Sequence, residues 1–255
     1  MAVPKALILR TAGTNCDVET AHAFTLSGAV AERVHVNRLI EDKGLLDQYQ
    51  ILAIPGGFSY GDDIAAGKIL ANELVTRLED ALQRFKAAEK LIIGICNGFQ
   101  VMVKAGLLPG FGAGQEATLA NNDSGKFEDR WVFLKVRASN CVFLRGLSLI
   151  CLPVAHGEGK FIAGSSQVLS RILSSQGMLC YVNASGLPGP YPVNPNGSQA
   201  DIAGISDPTG RILGLMPHPE RHVVATQHPR WTRLNRCEGP GDGLAIFQNA
   251  VKYFS

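Results

Sequence analysis

The sequence predicts an α/β fold with a mostly parallel central sheet flanked by helices and with extra antiparallel strands in the C-terminal half. In residues 1–105, short apolar runs alternate with helical patterns, which is typical of parallel strands joined by right-handed crossovers. Beyond residue 130, strand-like runs and turn sequences prevail. The 255 residues are 46% hydrophobic and contain no evident linker or repeat, so we expect a single domain over residues 1–255.

The first half is expected to supply the parallel strands. Three apolar runs predict buried strands, at residues 6–9, 51–54 and 91–95, and residues 30–36 have the β-rich composition of a further strand. Helical patterns follow the three apolar runs, at residues 17–26, 69–88 and 99–105. Asp17 is expected to cap the first helix, because its carboxylate can accept a hydrogen bond from a free backbone N–H. Chemistry in such a sheet collects in the loops that follow the strands.

The second half is expected to be richer in antiparallel strands. Five further strands are predicted, at residues 131–136, 150–154, 178–182, 202–206 and 212–216. Residues 207–210 read Asp-Pro-Thr-Gly, which predicts a hairpin turn between the last two. A final helix is predicted over residues 243–254.

Composition excludes several classes of function. The formal net charge of +2 gives no electrostatic reason to expect nucleic acid or a membrane surface as a partner. There is no apolar run of transmembrane length, and the first residues lack the pattern of a signal peptide. The 6 cysteines form no Cys-x-x-Cys pair, so we expect no metal site and a reducing, cytoplasmic setting.

Residues 94–98 are the most informative segment for function. They read Gly-Ile-Cys-Asn-Gly, directly after a predicted strand and before a predicted helix, which is the setting of a nucleophile elbow. The helix N-terminus would favour the thiolate of Cys96. Taken alone, the segment fits a buried, unreactive cysteine about equally well.

A cysteine nucleophile needs a base and a group that orients the base. Residues 215–220 read Leu-Met-Pro-His-Pro-Glu. In an extended backbone, alternate side chains point the same way, so Glu220 can orient His218 towards Cys96. Considered without Cys96, the same residues are better explained as a surface-loop histidine and a solvated charge.

A glycine-rich segment follows the predicted strand at residues 51–54. Residues 55–63 read Pro-Gly-Gly-Phe-Ser-Tyr-Gly-Asp-Asp. Backbone N–H groups at Gly57 and Phe58, together with that of Asn97, are expected to stabilise an oxyanion. A glycine-rich turn with a helix cap is the structural alternative, and no phosphate-binding motif is present.

These residues resemble the class I glutamine amidotransferases, which use a Cys-His-Glu triad. In that family a Gln follows the nucleophile by four positions, as Gln100 follows Cys96 here. Within the family, the chain is most similar to the PurQ-type glutaminase subunits of phosphoribosylformylglycinamidine synthase. The matching segments cover nearly the whole chain and include residues 14–17, 55–62, 156–161, 194–198 and 214–221.

The resemblance implies a flavodoxin-like fold and a defined set of site residues. Cys96 would attack the side-chain amide of L-glutamine, His218 would transfer the proton and Glu220 would orient His218. Gly57, Phe58 and Asn97 would supply the oxyanion hole. The glutamine-binding residues would be Gly57, Gln100, His156 and Gly157.

The resemblance also implies partners for the chain. Ammonia would pass to a PurL-type synthetase subunit, with a small PurS-type subunit as a third member of some complexes. ATP and Mg would bind the partner, so this chain would carry no cofactor. The chain is longer than the compact form of the family around residues 113–130 and 223–242, and these segments are candidates for partner docking. Residues 61–67 also depart modestly from the family pattern.

Three other functions remain open at this point. One is a glutaminase that serves another amidotransferase pathway, against which residues 58–62 and 156–159 argue. Another is a hydrolase or peptidase with a similar elbow, which the distant His-Pro-Glu disfavours. The last is a non-catalytic regulatory or scaffolding subunit, which an intact triad argues against. Cys16, in the loop before the first helix, is expected to be a buried structural thiol.

Overall fold

A computed structural model describes residues 3–112, 114–137 and 140–255. Its strands are β1 Lys5–Arg10, β2 Val30–His35, β3 Ile51–Ile54, β4 Leu91–Ile95, β5 Ala117–Asn121, β6 Glu128–Arg137, β7 Leu149–His156, β8 Glu158–Ala163, β9 Met178–Val182, β10 Ile202–Ser206 and β11 Ile212–Leu215. Its α-helices are α1 Asp17–Leu26, α2 Val36–Glu41, α3 Lys68–Arg77, α4 Glu79–Ala87, α5 Asn97–Lys104, α6 Ser166–Ser175 and α7 Leu244–Lys252.

The main sheet joins a parallel half to an antiparallel half. Its order is β2-β1-β3-β4-β11-β10-β9-β6-β7, and β5 pairs with β8 in a separate two-stranded sheet. The pairs from β2 to β11 are parallel, and those from β11 to β7 are antiparallel. The predicted fold class is therefore confirmed, and β11 is the strand at which the two halves meet.

The core lies along the middle of the sheet. Strands β3, β4 and β11 are buried at every residue, as expected of strands covered on both faces. Helices α1 and α7 pack against each other through Phe24 and Phe247, whose rings meet edge to face at 4.9 Å. Within the described part of the chain, none of the helices combines the length and the apolar character that crossing a membrane requires.

The register of the parallel strands brings four loops together. Ile54 of β3 lies beside Gly94 of β4, and Ile95 of β4 lies beside Leu215 of β11. Strand β1 runs parallel to β3 on its other side. The loops that leave the carboxyl ends of these strands therefore start at the same edge of the sheet, which is where ligands bind in such folds.

The predicted helix over residues 69–88 is wrong in one respect, because it is two helices. Helix α3 ends at Arg77 and α4 begins at Glu79, and the intervening Leu78 has a non-helical backbone with φ −121° and ψ 9°. Glu79 and Asp80 stand in the first turn of α4, where the positive end of the helix dipole favours carboxylates. That acidic pair marks the new start, although the apolar periodicity runs on across it.

The predicted capping role of Asp17 is also wrong. The residue that precedes the helix is Cys16, and no side chain caps α1 there. The Asp17 carboxylate instead pairs with Arg10 at 2.9 Å and with Arg33 at 3.2 Å. Two cations on neighbouring strands hold the nearly buried carboxylate, so it is unavailable to the helix end.

Four elements were not predicted from the sequence. Helix α2 follows β2 directly and takes in Val36, the last residue of the predicted strand. Strands β5 and β8 alternate buried with partly exposed residues and contain polar side chains, so their apolar content is low. Helix α6 is preceded by Ser165, whose side chain accepts a hydrogen bond from the Val168 N–H, a recognisable capping signal.

The two longer segments have different structures. Ala113, which begins the first of them, lies outside the described residues, and the part that follows contains β5. In the second, Asp242 accepts a hydrogen bond from the Cys151 N–H at 2.9 Å and pairs with Arg236 at 3.0 Å. These contacts hold the second segment against β7.

Candidate active site

Cys96 lies at a sharp turn between β4 and α5. Its backbone has φ 51° and ψ −106°, a conformation that costs free energy in a residue with a side chain. A Cβ at Gly94 would overlap the sulfur of Met102, and a Cβ at Gly98 would overlap the carbonyl oxygen of Ile54. The two glycines are therefore required by close packing, and the turn has the geometry that a nucleophile elbow needs.

The Cys96 thiol is nearly buried, with an exposed fraction of 6%. Its Sγ lies 3.7 Å from the Ala155 carbonyl oxygen at the end of β7. Its N–H donates to the Leu215 carbonyl at 2.7 Å. The nucleophile is thus fixed to β11, the strand that leads directly to His218.

His218 and Glu220 form a buried pair. His218 Nδ1 lies 2.6 Å from Glu220 Oε1, and both side chains are almost completely buried. The backbone N–H of His218 donates to the Pro153 carbonyl at 2.8 Å, and this bond fixes the loop that carries the ring. The pairing with Glu220 leaves Nε2 as the nitrogen available for proton transfer, and Nε2 has no hydrogen-bond partner at normal distance among the described residues.

The charge state of His218 is set by its neighbours. Burial alone lowers the pKa of His218, but the Glu220 carboxylate, and after it the Cys96 and Cys16 thiols, raise that pKa well above its usual value. An imidazolium is therefore stabilised beside Cys96. Hydrogen bonds between catalytic groups often shorten only when substrate binds.

Gly56 allows the His218 ring to approach the strand that ends at residue 54. A Cβ at Gly56 would lie 2.8 Å from His218 Cε1 and 3.2 Å from Cys16 Sγ. No real Cβ fits at 2.8 Å, so any side chain here would push the ring away. The glycine-rich segment thus makes room for the base.

The three backbone N–H groups that were expected to stabilise an oxyanion differ in their hydrogen bonding. The Phe58 N–H donates to the Gly13 carbonyl at 2.9 Å, so the prediction that it is free for an oxyanion is wrong in this conformation. Gly57 has φ 143°, packs against residues 13–15 and lines the cavities on both sides of Cys96. Asn97 is in the first turn of α5, where backbone N–H groups lack helical partners. Gly57 and Asn97 remain the candidates.

A cavity of about 220 Å³ opens beside Cys96. It is smaller than the pockets of about 300–1,000 Å³ that hold drug-sized ligands, and it suits a small substrate. It is lined by Gly57, Phe58, Asp62, Ala66, Cys96, Gln100, Asn121, Phe127, Ala155, His156, Gly157 and Glu158. All four predicted glutamine-binding residues are in this lining. A larger cavity of about 610 Å³ lies elsewhere and contains no predicted site residue.

Asn97 connects the walls of this cavity. Its Oδ1 accepts the Ser59 N–H at 3.2 Å, and its Nδ2 donates to Asp62 at 3.2 Å and to Gln100 at 3.0 Å. Gln100 in turn donates to the Glu158 carbonyl at 2.6 Å. The amide of Gln100 is therefore already engaged, and its contribution to the cavity is mainly to fix the wall.

His156 is held in a single orientation at the cavity wall. Its Nδ1 lies 3.0 Å from Asn122 Oδ1, and a Cβ at Gly159 would overlap the ring. Burial, and then the positive charge of His218, lower the pKa of His156 to about 4. The ring is therefore neutral near pH 7 and offers the cavity a polar but uncharged surface. Gly157, by contrast, is exposed, and a Cβ there would make only an ordinary contact with Phe127 Cδ2 at 3.9 Å.

Sequence reasoning missed two residues at the site. Cys16 is fully buried as expected, yet its sulfur lies beside His218 and accepts a hydrogen bond from Arg221 Nη2 at 3.0 Å. Both line a second cavity of about 270 Å³, on the side of Cys96 that faces His218. The available signal was the position of Cys16 in the loop after β1, at the same edge of the sheet as Cys96.

One group of side chains is close enough to be tested as a cation site. Ligand atoms of Cys16, His218 and Glu220 lie within 4.8 Å of one another. The guanidinium of Arg221, however, donates to the Cys16 sulfur and lies 4.0 Å from the Glu220 carboxylate. A cation is thus already built into the group, and the arrangement fits a proton-transfer site better than a metal centre.

Comparison with known proteins places this geometry in a family. Residues 3–254 match the CobB/CobQ-like glutamine amidotransferase domain. The chain is 52% identical to a phosphoribosylformylglycinamidine synthase subunit PurQ from Dehalococcoides mccartyi, over 99% of this chain and 98% of that protein. It is 43% identical to the subunit of the same name from Methanococcus maripaludis strain S2, again over 99% and 98%. A chain in the structure of PurLQS from Thermotoga maritima superposes with a TM-score of 0.75 at 31% identity, with full coverage of both chains. The chain therefore belongs to the CobB/CobQ-like glutamine amidotransferase family.

Proposed function

We propose that the chain is the glutaminase subunit of phosphoribosylformylglycinamidine synthase and supplies ammonia to a separate ATP-dependent synthetase subunit in purine biosynthesis. The observation that carries the proposal is full-length similarity to PurQ subunits, at 52% identity for the Dehalococcoides relative. The proximity of Cys96, His218 and Glu220 beside a small cavity supports it.

The first half of the proposed reaction forms a thioester. His218 takes the proton of the Cys96 thiol, and the thiolate sulfur bonds to the side-chain amide carbon of L-glutamine. Backbone N–H groups at Gly57 and Asn97 stabilise the oxyanion. The carbon–nitrogen bond then breaks, and His218 gives its proton to the departing ammonia.

The second half regenerates the enzyme. Water bonds to the thioester carbon while His218 accepts a proton from it, the carbon–sulfur bond breaks to release glutamate, and His218 returns the proton to the Cys96 sulfur. Throughout, Glu220 holds Nδ1 of His218 at 2.6 Å and stabilises the imidazolium that forms in each half. No cofactor of this chain is needed for either step.

The synthetase partner is proposed to carry the rest of the reaction. A PurL-type subunit would bind ATP, Mg and the ribonucleotide, and would convert formylglycinamide ribonucleotide to the amidine with the ammonia. A small PurS-type subunit would complete the assembly, as the name PurLQS of the Thermotoga maritima structure suggests. Exposed apolar side chains at Phe58 and Phe127, on the cavity rims, support docking near the cavity mouth.

The proposal predicts that this chain co-purifies with the synthetase subunit of its own source and gives it glutamine-dependent activity. The measurement is amidine product formed from formylglycinamide ribonucleotide, ATP and glutamine, with and without this chain. Glutamine should support product only when both chains are present, whereas ammonium salts should support it with the synthetase alone. Capture of a synthetase from a different amidotransferase pathway would overturn the assignment.

Glu220→Gln should lower glutamine-dependent kcat by about 10²- to 10⁴-fold, because the neutral amide neither fixes the ring nor stabilises the imidazolium. The alkaline limb of the pH–rate profile should also move to lower pH. The reason is that the charge of Glu220 raises the pKa of His218, and His218 loses its proton at lower pH without that charge. Glu89→Gln, which alters an exposed carboxylate paired with Arg211, is the control. An unchanged pH profile in Glu220→Gln would contradict the assigned role.

A further inference from the structure

Cys16 is a second thiol within reach of the base. It lies in the loop after β1, and its sulfur is within 4.8 Å of a ring nitrogen of His218 and of a carboxylate oxygen of Glu220. The loop is held firmly, since the Cys16 N–H donates to the Gly56 carbonyl at 3.2 Å and the Cys16 carbonyl accepts from Thr20 Oγ1 at 2.6 Å. The position of the sulfur is therefore set by the backbone.

Arg221 connects this thiol to the triad. Its Nη2 donates to Cys16 Sγ at 3.0 Å, and its Nε lies 4.0 Å from Glu220 Oε1. Arg221 ends the short 3₁₀ turn that begins immediately after His218. One guanidinium thus contacts both the second thiol and the carboxylate that orients the base.

This arrangement places opposing electrostatic effects around one ring. Burial disfavours the imidazolium of His218, whereas the Glu220 carboxylate favours it. The sulfur of Cys16 accepts a hydrogen bond from the Arg221 guanidinium and lies close to the ring, and it adds to the effect of Glu220 on the pKa of His218. The sulfur also occupies the space beside Gly56, against which the ring lies.

We propose that Cys16 is a positioning residue of glutamine hydrolysis, whose sulfur holds Arg221 and the His218 ring in place and stabilises the protonated form of His218. The inference rests on the proposed function, because Cys16 acts only through His218. A second carboxylate beside Glu220 would hold the proton too tightly for its transfer to ammonia.

The groups that face His218 come from several elements. They are Glu220, Cys96, Cys16, Arg221, His156 and, across the second cavity, Asp129. Burial lowers the pKa of His218, and Glu220, Cys96 and Cys16 raise it in that order. His156 is neutral near pH 7. Removing Cys16 should therefore lower the pKa of His218, as removing Glu220 should, but by a smaller amount.

The test uses this chain in complex with its synthetase, as wild type and as Cys16→Ala, Cys16→Ser and Cys180→Ser. Cys180 is a buried thiol of β9 away from the site and serves as the matched control. The measurements are kcat and KM for glutamine across the pH range. The rate at which a glutamine-directed electrophile alkylates Cys96 is also measured, on the isolated chain.

For Cys16→Ala we expect kcat near pH 7 to fall by about tenfold with KM changed less than about twofold, as for a misplaced catalytic group. The alkaline limbs of the pH profiles for kcat and for Cys96 alkylation should move to lower pH by about one unit. Cys16→Ser should recover part of the rate, because a hydroxyl also accepts a hydrogen bond. Ammonia-dependent synthesis and the Cys180→Ser variant should match wild type.

Two results would overturn the inference. One is a Cys16→Ala profile that superimposes on wild type. The other is a rate that falls by the same factor at every pH, which would make Cys16 a packing residue only. If the wild-type complex made no product from glutamine, the proposed function would fail instead, while alkylation of Cys96 would still report how Cys16 affects His218.

Discussion

Cys96→Ala is expected to abolish glutamine-dependent synthesis by the complex, by at least about 10⁴-fold, while ammonia-dependent synthesis continues at the wild-type rate. The sulfur is the only atom that the substitution removes, and the proposed mechanism has no other nucleophile within the cavity beside α5. The backbone turn at φ 51° is equally available to alanine, so the fold should persist. Product formation from glutamine and from ammonium salts, measured on the same preparation, separates the two activities.

Covalent labelling gives an independent check on Cys96. A glutamine-directed electrophile should modify one cysteine in the wild-type chain and none in Cys96→Ala, as read by mass spectrometry of peptides. Cys180→Ala should be labelled like wild type. Labelling of a thiol other than Cys96, or loss of ammonia-dependent synthesis in Cys96→Ala, would mean that Cys96 is structural.

Gly98→Ala is expected to destabilise the fold by about 3 kcal/mol or more, the upper range for overpacking a core. The position lies in α5, where alanine normally stabilises a helix by about 1 kcal/mol relative to glycine. Here the added Cβ would overlap the carbonyl oxygen of Ile54, a backbone atom of a strand fixed between two neighbours. The steric conflict therefore reverses the sign of the helix preference.

The measurement for Gly98→Ala is the urea midpoint of unfolding, with soluble yield as a second readout. Gly112→Ala is the control, because the nearest atom to its added Cβ is Glu116 Oε1 at 3.9 Å. The urea midpoint of that variant should be close to the wild-type midpoint. Equal midpoints for the two variants would contradict the prediction. They would show that the backbone around β3 and α5 can move enough to relieve the overlap at little cost in stability.

The middle of the parallel half was predictable because β3 and β4 are uniformly apolar. Strands β3 and β4 were predicted with the observed bounds, since every residue in them is buried. The same reasoning failed for β5 and β8, which form a two-stranded sheet with partly exposed faces. Pairing between distant segments, rather than local composition, makes those residues strands.

The residues of the site also divide into those with a local sequence signal and those without one. Residues with local sequence signals were found, because Cys96 lies between two spaced glycines and His218 is followed by Glu220 at the right interval. Cys16 has no such signal, since a single cysteine in a loop has the pattern of any packed thiol. Its role depends on Arg221, far away in the chain, and on an edge of the sheet that exists only once the strands have assembled.

The place of β11 in the sheet also determines when the active site comes into existence. This strand is among the last to be synthesised, yet it inserts between β4 and β10, and the loop that follows it carries His218. A nascent chain that has not yet released β11 from the ribosome has Cys96 but lacks the proposed base. Because β11 lies between β4 and β10, the proposed site is complete only once this strand has taken its place in the sheet. A partly made subunit therefore consumes no glutamine.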